Sequence, residues 1–412
     1  MKFIHAADLH LDSPFLGLHN DSLPPQLWEI IRDSTFKSFK KIVDDAISQQ
    51  VDFVLLSGDL FDRQERSVSA QVFLMKQLQR LSEQRISVFI IFGNHDYYRG
   101  DFKNLDYPKN TQVFGNQVET KELRLPDGQL VAIHGFSFGS QWVTQPIIND
   151  YPLAANADWN IGMLHGSLAT LKSPEANYAP FTLEQLQSKN YDYWALGHIH
   201  KRQSLDNRGV INYSGNSQGR HINESGEKGY LLVKSTGHNL AAEFRPTAPI
   251  IWQILTVPVT TQSVNGLASL IMSQIERQKY PSLHFIRIRL TSKQSLPKAI
   301  LESVTDGDLL AAVQQLMGNH WQQLNCWITS IRVHVFDQVI LSSLDQRFFE
   351  EAKEMTLTQD QLIKLMDQGL SKYPFIKADL ADPANQQDLF NQASALLQEQ
   401  VLHSDDEGDS SK

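Results

Sequence analysis

The sequence predicts an α/β fold, and three observations carry that prediction. Short apolar runs rich in Val, Ile and aromatic residues alternate with stretches of helical periodicity. Five of those runs end abruptly in a cluster of Asp, His, Gly or Asn. The chain has 412 residues, 41% of them hydrophobic and 20% charged, which is enough for packed cores in two or three domains.

The strands come in order. Phe3 to Ala7 precedes Asp8-Leu9-His10, Val51 to Leu56 precedes Ser57-Gly58-Asp59, and Val88 to Phe92 precedes Gly93-Asn94-His95-Asp96. Ile161 to Leu164 precedes His165-Gly166, and Tyr193 to Leu196 precedes Gly197-His198-Ile199-His200. Runs of four to six mostly apolar residues read as buried strands. Between the early strands, Trp28, Ile31, Phe36, Phe39, Ile42, Val43 and Ile47 recur at helical spacing, as do Val68, Val72, Met75, Leu78 and Leu81. Thr182 followed by Gln185 reads as a capping box for a short helix reaching Lys189. In layered α/β folds chemistry gathers on loops at the carboxyl ends of strands, which is where every polar cluster falls.

Two prolines between Phe244 and Ile250 mark a boundary. The expected organisation is a catalytic domain over 1–245, a smaller α/β domain over 250–340, a helical segment over 341–403 and a disordered acidic tail over 404–412. Strands are expected at Ile250 to Val259, Phe285 to Leu290 and Trp327 to Phe336, with helices at Gly266 to Ile275 and Asp306 to Met317. Alternation in the second of these strands puts Arg287 and Arg289 on one face, read as an ordinary sheet face or as a phosphate-contacting one. Leu389, Phe390, Ala393, Leu396, Leu397 and Val401 form an amphipathic pattern in the helical segment.

Lys plus Arg total 37 against 46 Asp plus Glu, a formal charge of -9. That excludes binding nucleic acid by bulk positive charge, though not a local basic groove. The single cysteine, Cys326, excludes a disulfide framework and a cysteine-based zinc site, and reads as a core residue. The first fifteen residues lack the apolar run of a signal peptide, and no run of about 20 apolar residues could span a membrane. The expectation is a soluble, cytoplasmic protein.

Asp8-x-His10 or His165-Gly166 alone would mean little. Five such clusters in order, each after a strand, point to a site for two divalent metals. Two ions about 3.5–4 Å apart can hold both the attacking and the leaving oxygen of a displacement at phosphorus. The pair needs a bridging ligand, and the Asp59 carboxylate suits it. A mixed nitrogen and oxygen set favours manganese, iron or zinc over magnesium, with manganese the expected ion. Glycine ahead of Asp59, Asn94 and His198 is expected to let the backbone turn sharply.

These five clusters resemble the motifs of the calcineurin-like metallophosphoesterase superfamily. The opening Ile4-His5-Ala6-Ala7-Asp8-Leu9-His10-Leu11-Asp12-Ser13-Pro14-Phe15 is similar to that of SbcD-like DNA repair nucleases of the YhaO type. The similarity continues through Tyr213 to Arg220 and Gly226 to Tyr230, which resemble the family's closing strands. The resemblance implies a four-layer sandwich with a capping domain that helps position DNA. It implies that Asp8, His10, Asp59 and His200 hold one metal, and Asp59, Asn94, His165 and His198 the other. It implies that His95 is a catalytic acid aiding departure of the leaving oxygen, with Asp96 orienting it by hydrogen bonding. It also implies a DNA substrate, an SbcC-like, SMC-type ATPase partner that docks on the helical segment, and a homodimer.

One position departs from archaeal and eukaryotic relatives, which often carry a second histidine where this chain has Asp62. Asp62-Arg63 is also similar to the Gly-Asp-x-x-Asp-Arg-Gly motif of protein phosphatases, but Gln64 replaces the final glycine. A stand-alone phosphatase or phosphodiesterase is therefore the alternative. Tyr97, Tyr98 and Arg99 after the His95 motif, and Arg220 with His221, are candidate substrate contacts. His5, His134, His284 and His334 read as packed strand residues.

Overall fold

The computed structural model describes residues 1–15, 18, 22–62, 67–97, 106–169, 178–292, 296–335 and 355. The expected helical segment and acidic tail lie outside the described residues, apart from Met355, as do Arg63, Gln64, Tyr98 and Arg99. The chain divides into two compact units. One is Met1–Gln253 with Tyr280–Phe285, and the other begins with Ile254–Lys279 and resumes at Ile286.

The first unit is built on two six-stranded sheets. One has the order β12-β11-β1-β2-β3-β4, from strands Lys2–Ala6 (β1), Phe53–Ser57 (β2), Ser87–Ile91 (β3), Thr111–Val113 (β4), Gly229–Thr236 (β11) and Asn239–Pro246 (β12). The other has the order β5-β6-β7-β8-β10-β9, from Glu119–Arg124 (β5), Leu130–Gly135 (β6), Trp159–His165 (β7), Tyr193–Gly197 (β8), Gln203–Ser204 (β9) and Ile211–Tyr213 (β10). Both sheets are mixed: β1, β2 and β3 run parallel, as do β7 and β8, while β11 is antiparallel to β1.

Alternation along β1 to β3 separates two cores. Phe3, Phe53, Leu55, Phe89 and Ile91 face the other sheet and pack with Ile133, Met163 and Tyr193. Ile4, Ala6, Val54, Leu56, Val88 and Ile90 face helices Pro25–Arg32 (α1), Ser34–Ser48 (α2) and Val68–Glu83 (α3), through residues such as Leu27, Phe39, Ile42, Leu74 and Leu78. Leu183–Ser188 (α4) covers the far face of the second sheet, its Leu186 carbonyl accepting the Trp194 indole N–H at 3.2 Å. The result is helix, sheet, sheet, helix. Fully burying each Val, Leu, Ile, Phe or Met side chain among these contributes about 1.5–3 kcal/mol.

The expected elements are found, with instructive differences. The helix expected from Trp28 to Ile47 is two helices, because Asp33 opens out of regular geometry (φ -87°, ψ -3°). It also starts earlier, since Pro25 fits the first helical turn. The capping box is present: the Thr182 N–H donates to Gln185 Oε1 at 2.8 Å and the Gln185 N–H to Thr182 Oγ1 at 3.3 Å. His5, His134 and His284 are buried, as expected of packed strand histidines. His5 lies between the two sheets, with Nδ1 3.1 Å from the Tyr193 hydroxyl and Nε2 3.1 Å from the Leu196 carbonyl.

The smaller unit's sheet has the order β13-β14-β15, from Ile250–Pro258 (β13), Leu283–Ser292 (β14) and Cys326–Val335 (β15), the residues of β13 up to Gln253 and of β14 up to Phe285 belonging to the first unit. Its helices are Val264–Gln278 (α5), Lys298–Thr305 (α6), Asp308–Met317 (α7) and Trp321–Leu324 (α8). Cys326 is buried, as expected of a core thiol. Arg287 donates from Nε to Ser330 Oγ at 3.0 Å, so it is tied to its own sheet.

Candidate metal centre

The carboxyl ends of β1, β2, β3, β7 and β8 supply every predicted ligand. β1, β2 and β3 are neighbours in one sheet and β7 and β8 in the other, so five sequence-distant loops meet at one rim of the sandwich. The backbone there is unusual. Asp8, His10, Asp59 and His198 have φ of 52°, 43°, 51° and 99°, in the left-handed region that costs a non-glycine residue energy. Such conformations persist only where surrounding bonds fix them. Here the Asp8 N–H donates to the Gly58 carbonyl at 3.0 Å and the His10 N–H to the Asp59 carbonyl at 3.1 Å.

The donors fall into two sets with Asp59 between them. In the first, Nε2 of His10 lies 3.0 Å from Nε2 of His200, and the Asp8 carboxylate belongs to the same cluster. In the second, Asn94 Oδ1 lies 3.1 Å from His165 Nε2 and 3.2 Å from His198 Nδ1. Asp59 Oδ2 is 3.5 Å from His165 Nε2 and 4.0 Å from His10 Nε2. Asp8, His10, Asp59 and His165 are almost wholly buried.

Several details show that this cluster suits cations. The His200 Nδ1 lies 2.7 Å from Glu224 Oε1, and the His10 Nδ1 lies 3.4 Å from Asp62 Oδ1. At His200 the hydrogen-bonded carboxylate keeps the proton on Nδ1 and leaves Nε2 as a bare lone pair; at His10 the Asp62 charge favours the same tautomer without a hydrogen bond. Two bare nitrogens facing each other at 3.0 Å call for a positive charge between or beside them. The His165 Nδ1–H donates to the Ser57 carbonyl at 3.0 Å, which turns its Nε2 toward Asn94 and Asp59. Nε2 of His198 is buried without a hydrogen-bond partner among the described residues.

The titration behaviour agrees. Burial lowers the pKa of His10 to about 3, helped by Arg220, and that of His198 to about 3, helped by His165, so both are neutral near pH 7, the form in which an imidazole nitrogen can bind a metal. Burial would raise Asp59, but His165, His95 and His10 outweigh it and hold this carboxylate well below its usual range. Burial opposes a charge on His165, yet Asp59 and Asp8 raise its pKa to about 9. Anionic Asp59 thus draws a positive charge to the second set even when only a proton is on offer.

Glycines make room for the cluster. A Cβ on Gly93 would stand 2.2 Å from Asp59 Oδ1 and 2.6 Å from His165 Nε2. One on Gly197 would stand 1.9 Å from the Ser57 carbonyl oxygen. Sharp turning, expected at all three glycines, holds for Gly58 alone, with φ 92°; Gly93 and Gly197 are needed for close approach instead.

His95 sits beside the first set, its ring centroid 5.0 Å from that of His10. Its orientation corrects the sequence expectation. Asp96 does not hold the His95 ring; its fully buried carboxylate accepts the N–H of Leu60 at 2.7 Å, of Phe61 at 3.3 Å and of Gly93 at 2.8 Å. It therefore fixes the two loops that carry Asp59 and Asn94. The His95 Nδ1–H donates instead to the Asp62 main-chain carbonyl at 2.8 Å, and the Asp59 carboxylate accepts the His95 backbone N–H at 3.0 Å.

Sequence reasoning missed a charged network behind the first set. Arg220 bonds the Asp62 carboxylate through Nη1 and lies 3.5 Å from Glu224 Oε1 through Nη2. Glu224 also accepts the Arg220 backbone N–H at 2.7 Å and Asn216 Nδ2 at 2.8 Å, and His221 lies 3.4 Å away. Burial would raise Glu224, but Arg220 and His200 hold it well below the carboxylate range. Arg220, a candidate substrate contact in the sequence, is thus engaged by two carboxylates. Tyr97 is half-buried against the inter-sheet core. No local pattern announces Glu224, because its partner His200 lies 24 positions away.

Comparison with known proteins follows the same lines. The profile of the calcineurin-like phosphoesterases matches residues 1–202. A protein of Bacillus subtilis (strain 168) named "uncharacterized metallophosphoesterase YhaO" is 35% identical over 415 residues, covering 97% of this chain and 98% of that one. The DNA double-strand break repair protein Mre11 of Methanocaldococcus jannaschii is 29% identical over 254 residues, covering 58% of this chain and 64% of its own length. The protein of the same name from Archaeoglobus fulgidus is 26% identical over 305 residues, covering 65% of this chain and 63% of its own.

Proposed function

The chain belongs to the calcineurin-like metallophosphoesterases, and from that membership we propose that it is a dinuclear-metal-dependent DNA nuclease of repair and recombination. The observation that carries the two-metal part is the pair of donor sets sharing Asp59. The DNA part is supported by the archaeal relatives, whose names describe double-strand break repair and whose similarity covers 58% and 65% of this chain. From the resemblance to SbcD-like nucleases in the sequence we further propose an SbcC-like, SMC-type ATPase as partner and a homodimer as the working form.

In this reading Asp8, His10, Asp59 and His200 hold one ion, and Asp59, Asn94, His165 and His198 the other. The mixed nitrogen and oxygen donors suit manganese. Bound there, the metals supply Lewis acidity toward a phosphodiester and lower the pKa of water toward neutrality. The protein's own part is orientation and proton transfer. Asp62 and Glu224 face the Nδ1 atoms of His10 and His200 and turn their Nε2 atoms inward. The Asp62 carbonyl takes the His95 Nδ1–H, so Nε2 is the atom that, when it carries a second proton, would pass it to a departing oxygen and be left neutral.

The test is digestion of duplex, hairpin and single-stranded DNA by manganese-loaded protein, with and without the ATPase, beside a nitrophenyl phosphate monoester and diester. Cleavage of DNA, reduced about 10²–10⁴-fold in His95→Ala with metal still bound, is the expected result. Fast hydrolysis of the nitrophenyl esters with no cleavage of any DNA would replace this reading with a stand-alone phosphatase or phosphodiesterase.

A further inference from the structure

Trp142 is the largest apolar side chain left open among the described residues, with 61% of its surface exposed. A lone exposed hydrophobe is ordinary and needs no explanation. What lies beneath this one is not ordinary. Its ring stacks on that of Tyr178, with centroids 5.1 Å apart and planes 20° from parallel. Tyr178 is buried, and its ring rests 4.8 Å from that of His198. Two ring-to-ring steps therefore lead from solvent to a candidate metal ligand.

The main chain keeps the pair together. The Ala179 N–H donates to the Val143 carbonyl at 2.6 Å, joining the neighbours of the two rings. Ser140 Oγ donates to the Trp142 carbonyl at 3.0 Å and ties down its own turn. A ring backed on one face and open on the other can accept a flat partner with little further ordering.

We infer that Trp142, backed by Tyr178, is a stacking platform for an unpaired base of the nucleic-acid strand whose phosphate enters the site. A nucleotide places a flat, uncharged ring one sugar away from a phosphate. Trp142 stands two ring steps beyond His198, 5.1 Å and 4.8 Å between centroids, so the base it takes belongs to a nucleotide further along the strand than the one whose phosphate enters the site. Inside a duplex both faces of a base are covered by its neighbours, so the platform takes a base at a frayed end or in a single strand. Stacking on an aromatic ring tolerates any base, so the platform selects for a free end rather than for a sequence.

This inference rests on the nuclease reading, and two measurements separate their failures. The first compares cleavage of an oligonucleotide with that of its counterpart carrying abasic sites at the end. Wild-type protein is expected to favour the base-bearing end by about tenfold in kcat/KM, Trp142→Ala to lose that preference, and Trp142→Phe to keep most of it. The second needs no catalysis: binding of a phosphorothioate single strand should quench tryptophan emission in the wild type, and Trp142→Phe should lack that quench. If Trp142→Ala discriminates as well as the wild type, or Trp142→Phe shows the full quench, the platform is overturned. If the quench is present but no DNA is ever cut, stacking stands and the nuclease reading falls.

Discussion

Around Asn94, His165 and His198 the side chains are fixed by main chain: the Ser57 carbonyl holds His165, and Gly58, Gly93 and Gly197 leave room for the ring and the loop beside it. Around His10 and His200 the holding is done by charged side chains, Asp62 and Glu224, themselves bound through Arg220. Each set has two buried donors and one partly buried histidine, His200 in the first and His198 in the second. The two donor sets are thus built differently, one as a rigid socket and the other as an ion-pair lattice. Backbone geometry cannot be tuned without remaking the loops; ion pairs can be strengthened or weakened one residue at a time.

The largest effect should come from the socket. Gly93→Ala drives a methyl group into Asp59 and His165. Hydrolysis should fall by at least about a hundredfold, and titration calorimetry should lose one metal equivalent. A variant that still binds two equivalents would show that the socket is soft. Next is Glu224→Gln, which takes the charge from behind His200 and leaves Arg220 half-neutralised. Metal affinity at the first set should weaken by about 10–100-fold, with both equivalents still titrating. Equal weakening of both equivalents would mean that the two halves are not separately built.

Protonation sharpens the comparison further. With its pKa raised to about 9, His165 carries a proton at neutral pH and must lose it before its nitrogen can bind a metal. Affinity at the second set should therefore fall as pH drops below about 9, by roughly tenfold per unit. His10, lowered to about 3, imposes no such competition near neutrality. Calorimetry in buffers of different ionisation heat should find proton release with one equivalent; its absence would remove the assigned charge state of His165. The smallest change is expected of Asp62→Asn. It keeps the main-chain carbonyl that holds His95 and loses only the charge facing His10 and Arg220, so kcat should drop a few-fold, to about a tenth at most.

The same contrast explains what the sequence reveals. The convergence of the second set, and of the strand-end residues generally, is legible because each candidate ligand follows an apolar run and a glycine often stands beside it. The position of Asp59 between two donor sets follows from those motifs and from parallel neighbours in the sheets. The lattice is not legible. Arg220 meets Asp62 across 158 positions of sequence, and only the closed fold shows that pairing. Asp96 misleads for the opposite reason: it adjoins His95 in sequence, but its side chain turns inward to three backbone N–H groups. The helix break at Asp33 is equally hidden, since apolar periodicity runs straight across it.

Neither sheet alone carries a complete set of donors. Asp8, His10, Asp59 and Asn94 hang from one, and His165, His198 and His200 from the other. An ion bound among them is a rivet across the seam of the sandwich. Anything that binds only the folded chain stabilises it, by about 2.7 kcal/mol at a hundred times its dissociation constant. The melting temperature should then serve as a gauge of metal supply, and starvation for metal would loosen the same joint that His5 closes from within.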